Sequence, residues 1–184
     1  VTIPAKKFLD ILHTLPEGKE VFLSMDGDGK IQLKCERSRF VIQGAPKAEY
    51  PVIPEFSKNE AFTIPASLLS DTIKKTIFAA SSDETRYVLN GVFWAASKGV
   101  LDMVATDGRR LAAVRSKSIP AERDFRVIIP TKILQELLKL LGHEEEDISV
   151  SVTENQVGFQ TKTTTMISRL VEGSFPNYEQ VIPS

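Results

Sequence analysis

Apolar residues recur every three or four positions in three stretches of the chain, and at alternate positions in most of the rest. Ala5, Phe8, Leu12 and Leu15 form the first stripe, with Lys6, Asp10 and His13 on another side, and predict a helix over 5–15. Leu69, Ile73, Ile77 and Ala80 predict a second over 66–80, with Lys74 and Lys75 turned away from the stripe. Ile133, Leu134, Leu137, Leu138 and Leu141 predict a third over 131–141, with Lys132, Gln135, Glu136 and Lys139 opposite. The remainder is strand-like. Residues 21–25 and 31–35 flank the Asp26-Gly27-Asp28-Gly29-Lys30 turn and predict a hairpin. Residues 148–152 and 156–160 alternate in the same way, and 91–94, 101–106 and 110–114 supply the middle of the chain.

These elements recur in order. Val1-Thr2-Ile3-Pro4-Ala5, Phe62-Thr63-Ile64-Pro65-Ala66 and Val127-Ile128-Ile129-Pro130-Thr131 open three copies of one unit, their prolines at 4, 65 and 130. Tyr50-Pro51-Val52-Ile53-Pro54 and Tyr178-Glu179-Gln180-Val181-Ile182-Pro183 close the first and third. The unit is strand, proline, helix, then strands, with the proline expected at the first helical position, where its missing N–H costs nothing. The fold class expected is α+β, with antiparallel sheet on one side and helices gathered on the other. Residues 61–184 hold two copies, whereas 1–57 hold one without a mate. The chain is therefore expected to be a piece of a longer protein. Its unpaired first copy is expected to expose a sheet edge and an apolar helix stripe, through which two chains join.

Composition narrows the function classes. With 42% hydrophobic and 26% charged residues the chain has enough apolar surface to fold. Its 23 Lys+Arg against 24 Asp+Glu leave a net charge of -1, which excludes a broadly basic DNA-coating protein but not one with a single cationic face. No apolar run is long enough to span a bilayer. No charged leader precedes an apolar segment at the N-terminus, and a cytoplasmic location is expected. One cysteine, Cys35, and two histidines make neither a disulfide nor a convincing zinc site, so no metal or cofactor is expected. The Asp26–Gly29 run has Arg37 where a calcium loop needs Glu, and Gly18-Lys19 lacks a glycine-rich loop before it. His143 with Glu144-Glu145-Glu146-Asp147 reads as a solvated loop. No nucleophile elbow or triad motif is present, and no catalytic residue is assigned.

Three segments carry a likeness. Arg86-Tyr87-Val88-Leu89-Asn90-Gly91, then Val104-Ala105-Thr106-Asp107-Gly108-Arg109-Arg110-Leu111-Ala112, then Leu170-Val171-Glu172-Gly173-Ser174-Phe175-Pro176-Asn177-Tyr178 resemble, in order and spacing, the middle domain of the bacterial DNA polymerase III beta sliding clamp. The resemblance covers the whole chain. It implies that 1–57 is the second half of clamp domain one and 61–184 is clamp domain two. It implies a non-catalytic DNA clamp fold, with two helices per domain on the inner face and antiparallel sheets outside. Two three-domain subunits would close head to tail around duplex DNA.

Site residues follow from the same likeness. Lys74, Lys75, Lys132 and Lys139, with Lys6 and Lys7 on the first copy, would face the phosphates without reading bases, though any amphipathic helix carries such residues on its wet side. Arg86 and Tyr87 match a loop near the DNA; the competing reading is a strand start. Val88 stands where the family often has a second aromatic. Leu89, Thr106, Gly108, Arg109, Arg110, Leu111, Pro176 and Val181 match a groove that takes short peptide motifs of the DNA polymerase III catalytic subunit, the clamp loader and other clamp-binding proteins. Its apolar members would hold Leu or Phe anchors, and Thr106, Gly108 and Arg110 would offer polar contacts at the rim. Asp107-Gly108 also reads as an ordinary turn, and Leu111 as a strand core residue. Arg109 replaces a common His, and Gln180 a common basic residue. In the family part of this groove comes from domain three. The rival readings are a clamp-like ring of another lineage, a small-molecule α+β enzyme, and a peptide-binding module unrelated to DNA.

Overall fold

The computed structural model describes residues 1–27, 29–52, 54–117, 123–142 and 147–182. His143 and the three glutamates after it, Asp28 of the hairpin turn, and the Ile53 and Pro183 landmarks lie outside these. The chain divides into two compact units, Val1–Ile53 and Pro54–Ser184.

The first unit is helix α1 (Ala5–His13) and a three-stranded antiparallel sheet of β1 (Phe22–Met25), β2 (Lys30–Cys35) and β3 (Ser38–Gln43), in that spatial order. α1 ends two residues before the predicted boundary. The Thr14 hydroxyl donates to the Ile11 carbonyl at 2.7 Å and closes the last turn. Strand β3 was not legible from the turn ahead of it. The connection is Glu36-Arg37, without glycine, and Glu36 takes φ 49, a left-handed conformation rare outside Gly, Asn and Asp. Leu33, Cys35 and Ile42 are the buried centre of this unit.

The second unit contains two copies of the module. Strand β4 (Ala61–Pro65), helix α2 (Ala66–Lys74), and strands β5 (Gly91–Ser97), β6 (Val100–Thr106) and β7 (Leu111–Lys117) form one. Strand β8 (Phe125–Pro130), helix α3 (Thr131–Leu141), and strands β9 (Asp147–Val152), β10 (Gln156–Gln160) and β11 (Thr165–Arg169) form the other. The opening strands are exchanged between copies: the sheet orders are β11-β10-β9-β4 and β7-β6-β5-β8, all pairs antiparallel. Helices α2 and α3 pack against each other. Leu69 and Ile73 of α2, Leu134 and Leu137 of α3, Trp94 of β5 and Phe159 of β10 meet in one core. The edges of Trp94 and Phe159 meet at 6.1 Å between centroids and 71° between planes.

Two details correct the sequence reading. All three prolines stand just ahead of their helices rather than at the first helical position, with φ near -60 and extended ψ; Pro65 and Pro130 are the last residues of β4 and β8, and Pro4 follows the isolated bridge at Thr2. A fixed φ of that value suits both a strand end and a helix entry. The helix predicted over 66–80 stops at Lys74, and Ile77–Ala79 follows as a separate short turn. The buried hydroxyls of Thr72 and Thr76 explain the break. Thr72 donates to the carbonyls of Leu68 and Leu69, and Thr76 to those of Thr72 and Ile73, at 2.9 to 3.2 Å. Such back-bonding bends a helix and competes with its own ladder.

Candidate nucleic-acid interface and peptide groove

On α3 the buried side is Leu134, Leu137 and Leu141, while Lys132, Gln135, Glu136 and Lys139 are exposed. On α2 the buried side includes Leu69 and Ile73, while Lys74 and the capping Lys75 are exposed. Lys139 lies 2.8 Å from Glu136 and Lys75 lies 3.6 Å from Asp71, each a partner on its own helix. Lys74 and Lys132 form no ion pair among the described residues. The four cations therefore differ: two are part-neutralised locally, and two project their full charge to solvent.

Arg86 and Tyr87 do not begin a strand. They lie on a short helical segment, Glu84–Leu89, capped by Asp83, whose carboxylate accepts from the Thr85 backbone N–H. Thr85 holds the Asp83 carboxyl below the usual carboxylate range through its hydroxyl and its N–H, and Arg86 adds to this. Arg86 is engaged in the fold. Its Nε donates to Asp83 at 3.1 Å and its Nη1 donates to the Asp107 carbonyl at 2.9 Å, tying this segment to the β6–β7 turn. Tyr87 is 58% exposed. Gly173 takes φ 119 beside Val88 and Tyr87; a Cβ there would meet Val88 Cγ1 at 2.8 Å. The Val88 position thus serves packing against the closing segment.

The β6–β7 turn is built around Asp107. Its Oδ1 accepts from the backbone N–H groups of Arg109 and Arg110, and these two bonds hold the carboxyl below its ordinary range. Its Oδ2 takes the Arg110 Nε at 3.0 Å. Arg110 also sits over the Phe78 ring, 5.9 Å from its centroid. The Thr106 hydroxyl donates to the Arg110 carbonyl at 2.7 Å and accepts from the Gly108 N–H at 3.0 Å. The Thr106 hydroxyl and the Gly108 N–H are thus engaged inside the turn. Gly108 has φ 87, which a side chain would strain. The Arg109 side chain makes no ion pair among the described residues.

Pairing register places the groove candidates. Thr106 is opposite Leu111, Val104 opposite Ala113, and Asp102 opposite Arg115, all on the face of β6 and β7 that points away from the core. Val104 is nonetheless fully buried. Its neighbour Phe93 on β5 is stacked by Phe175 at 4.9 Å and 10°, and met by Tyr178 at 6.0 Å. Residues 175–178 thus lie across this outer face. Between them Pro176 lines a cleft of about 1020 Å³ with Phe93, Ala95, Asp102, Arg115 and Tyr178. Its floor is a bidentate ion pair: Arg115 Nε and Nη2 donate to Asp102 at 2.7 and 2.8 Å, which raises the Arg115 pKa further. Burial raises Tyr178. Leu89 is 7% exposed, and Val181 is 67% exposed on the closing segment. The fold thus puts Thr106, Leu111 and Pro176 on one sheet face. Phe93, Phe175 and Tyr178, which cover that face, escaped the sequence reading as site residues. The outward parity of Phe93 on β5 was the available signal. Among the described residues no His, Cys, Asp or Glu cluster is placed to hold a metal ion, and no helix is long and apolar enough to cross a membrane.

The second unit is an α+β module repeated with exchanged opening strands, its helices paired and an aromatic strap across one sheet. Residues 63–177 match the family described as DNA polymerase III beta subunit, central domain, and residues 1–54 match its N-terminal domain. The chain belongs to the DNA polymerase III beta subunit family. It is 36% identical over 183 residues to the beta sliding clamp of Staphylococcus aureus, covering all of this chain and 48% of that protein. The DNA polymerase sliding clamp of Bacillus subtilis superposes with a TM-score of 0.88 at 35% identity, over 98% of this chain and 48% of that one. The DNA polymerase III beta subunit of Pseudomonas aeruginosa does so at 0.87 and 33%, over 99% and 50%. The chain spans about half the length of the relatives it matches.

Proposed function

We propose that this chain is the DNA-facing and partner-binding portion of a sliding clamp, the processivity factor of a replicative DNA polymerase. In this reading 1–57 is the second half of clamp domain one and 61–184 is clamp domain two. The whole protein forms a two-subunit ring around duplex DNA in the cytoplasm and catalyses no reaction. It tethers the polymerase III catalytic subunit, the clamp loader and other partners through their short peptide motifs. The observation that carries the reading is the pairing of α2 and α3 within one unit, apolar stripes turned into a shared core and lysines turned out. Lys74, Lys75, Lys132 and Lys139 then attract the phosphate backbone without reading sequence, and Arg86 and Tyr87 stand at the edge of that wall. On the outer side, Leu89, Thr106, Gly108, Arg109, Arg110, Leu111, Pro176 and Val181 frame a partial groove for apolar anchors. Thr106 and Gly108 act there by fixing the turn, and Arg109 by its free charge.

Fluorescence anisotropy with two duplexes of unrelated sequence tests this. Equal, weak binding is expected, with log K falling linearly as log salt rises. Lys74→Gln with Lys132→Gln should flatten the slope by about 2, at about 0.9 per neutralised phosphate contact. Tight binding to one duplex that persists in high salt refutes the reading.

A further inference from the structure

The outer face of the β7-β6-β5-β8 sheet carries more than its aromatic strap. Strand register sets its side chains in rows. Arg115 of β7, Asp102 of β6, Ala95 of β5 and Arg126 of β8 stand directly opposite one another in turn. One step further along the pleat lie Lys117, Val100 and Ser97 on the same face. Trp94 and Ala96 of β5, at the other parity, are in the core. The cleft of about 1020 Å³ lies over these two rows, and Lys98, Asp124 and Glu179 line it as well.

The charges of the cleft are not equivalent. Both oxygens of Asp102 are taken by Arg115, at 2.7 and 2.8 Å. Asp124 accepts from the Ser97 hydroxyl at 2.8 Å and from the Lys98 backbone N–H at 3.3 Å, which ties the β5–β6 turn to the start of β8. The side chains of Lys98, Lys117 and Arg126 make no ion pair or hydrogen bond among the described residues. Three free cations therefore stand against one free acid, Glu179, in a chain whose overall charge is -1.

Ala95 is the small residue of its row. Its methyl group leaves a gap between the Asp102–Arg115 pair and Arg126. Tyr178 stands beside that gap. Its ring meets Phe93 at 6.0 Å, and its hydroxyl feels the charges of Asp102, Arg115 and Arg126. That hydroxyl has no hydrogen-bond partner among the described residues. A free O–H and a free guanidinium at one opening suit a carboxylate. The rows cross four strands, about 14 Å at about 4.8 Å between neighbours, which an extended peptide of four or five residues spans. A nucleic-acid strand fits less well. Its charge on every unit would meet Asp102, Asp124 and Glu179, whereas a peptide places its carboxylates singly.

We propose that this cleft is a docking site for an acidic, extended segment of a partner protein. One carboxylate lies between Arg126 and the Tyr178 hydroxyl, and a second lies against Lys117. The cleft shares only Pro176 with the groove positions, so it neither needs nor replaces the apolar anchors assigned there.

NMR titration of the 184-residue chain with a capped eight-residue peptide of alternating Glu and Ala tests the proposal. Saturable shifts of the Ala95 and Val100 amides are expected at low salt, and none with the Gln-Ala counterpart. Arg126→Gln with Lys117→Gln should weaken binding about tenfold, two exposed charge pairs being lost. Lys58→Gln, exposed and away from the cleft, should leave it unchanged. The spectra themselves report whether each variant is folded. Arg126→Glu with Lys117→Glu should take up the Lys-Ala peptide instead. No shift at Ala95 and Val100, or equal affinity in the Gln variant, overturns the proposal. So does tighter binding at the same amides by inorganic phosphate or by a thymidine oligonucleotide.

Discussion

Replacing Thr106 by Val isolates the hydroxyl that closes the β6–β7 turn. The side chain is 9% exposed and valine has nearly its shape, so no cavity forms. Two hydrogen bonds are lost, that to the Arg110 carbonyl and that from the Gly108 N–H. Each contributes about 1 kcal/mol net, and because Gly108 and Arg110 are exposed, water reaches the freed groups and the total stays at about 1–2 kcal/mol. For a unit of this size the expected fall in Tm is about 3–10 °C. Calorimetry gives the shift, and hydrogen exchange at the Gly108 amide assigns it. Exchange there should accelerate in Thr106→Val and stay slow in Thr106→Ser, which keeps both bonds and loses one methyl group. If Thr106→Val melts with the parent and the Gly108 amide remains protected, the hydroxyl does not hold the turn and the account of the groove's edge fails.

Leu137→Ala on α3 removes a fully buried side chain from the core shared by both copies and should cost about 2–5 kcal/mol in urea unfolding, against little for the exposed Gln135→Ala. The Asp83 and Asp107 carboxyls have depressed folded pKa values, so their stabilisation is complete above about pH 4 and is lost as pH falls through those lower values. An NMR titration should show the Gly108 amide shifting only below the ordinary carboxylate range, with the transition absent in Asp107→Asn.

The three helices were legible because each carries an unbroken apolar stripe, and the closing boundary of α3 falls where Leu141 ends that stripe. The end of α2 was not, because it depends on where the Thr72 and Thr76 hydroxyls point, a choice made only once both are buried. β3 escaped because its turn uses Glu36 where glycine is the usual signal. Most strands of the second unit followed from alternation, although β11 (Thr165–Arg169) was not predicted, and strand exchange was not legible: Phe62 and Ile64 look the same whether they pair with β5 or with β9. At the site, the Asp107-Gly108 pair announced a turn. Period two cannot report that Phe175 and Tyr178 fold over Phe93, because those contacts join segments far apart in sequence.

The pairing of β4 with β9 joins residues some eighty to ninety positions apart. During synthesis the earlier strand leaves the ribosome long before its neighbour exists, so the first half of this unit must wait with its greasy side open. Neither half can reach its final state first, and the region should acquire structure in a single late step set by a large loop closure. Chaperone demand while the chain grows, rather than fragility once it is finished, is the cost of interlocking the two halves.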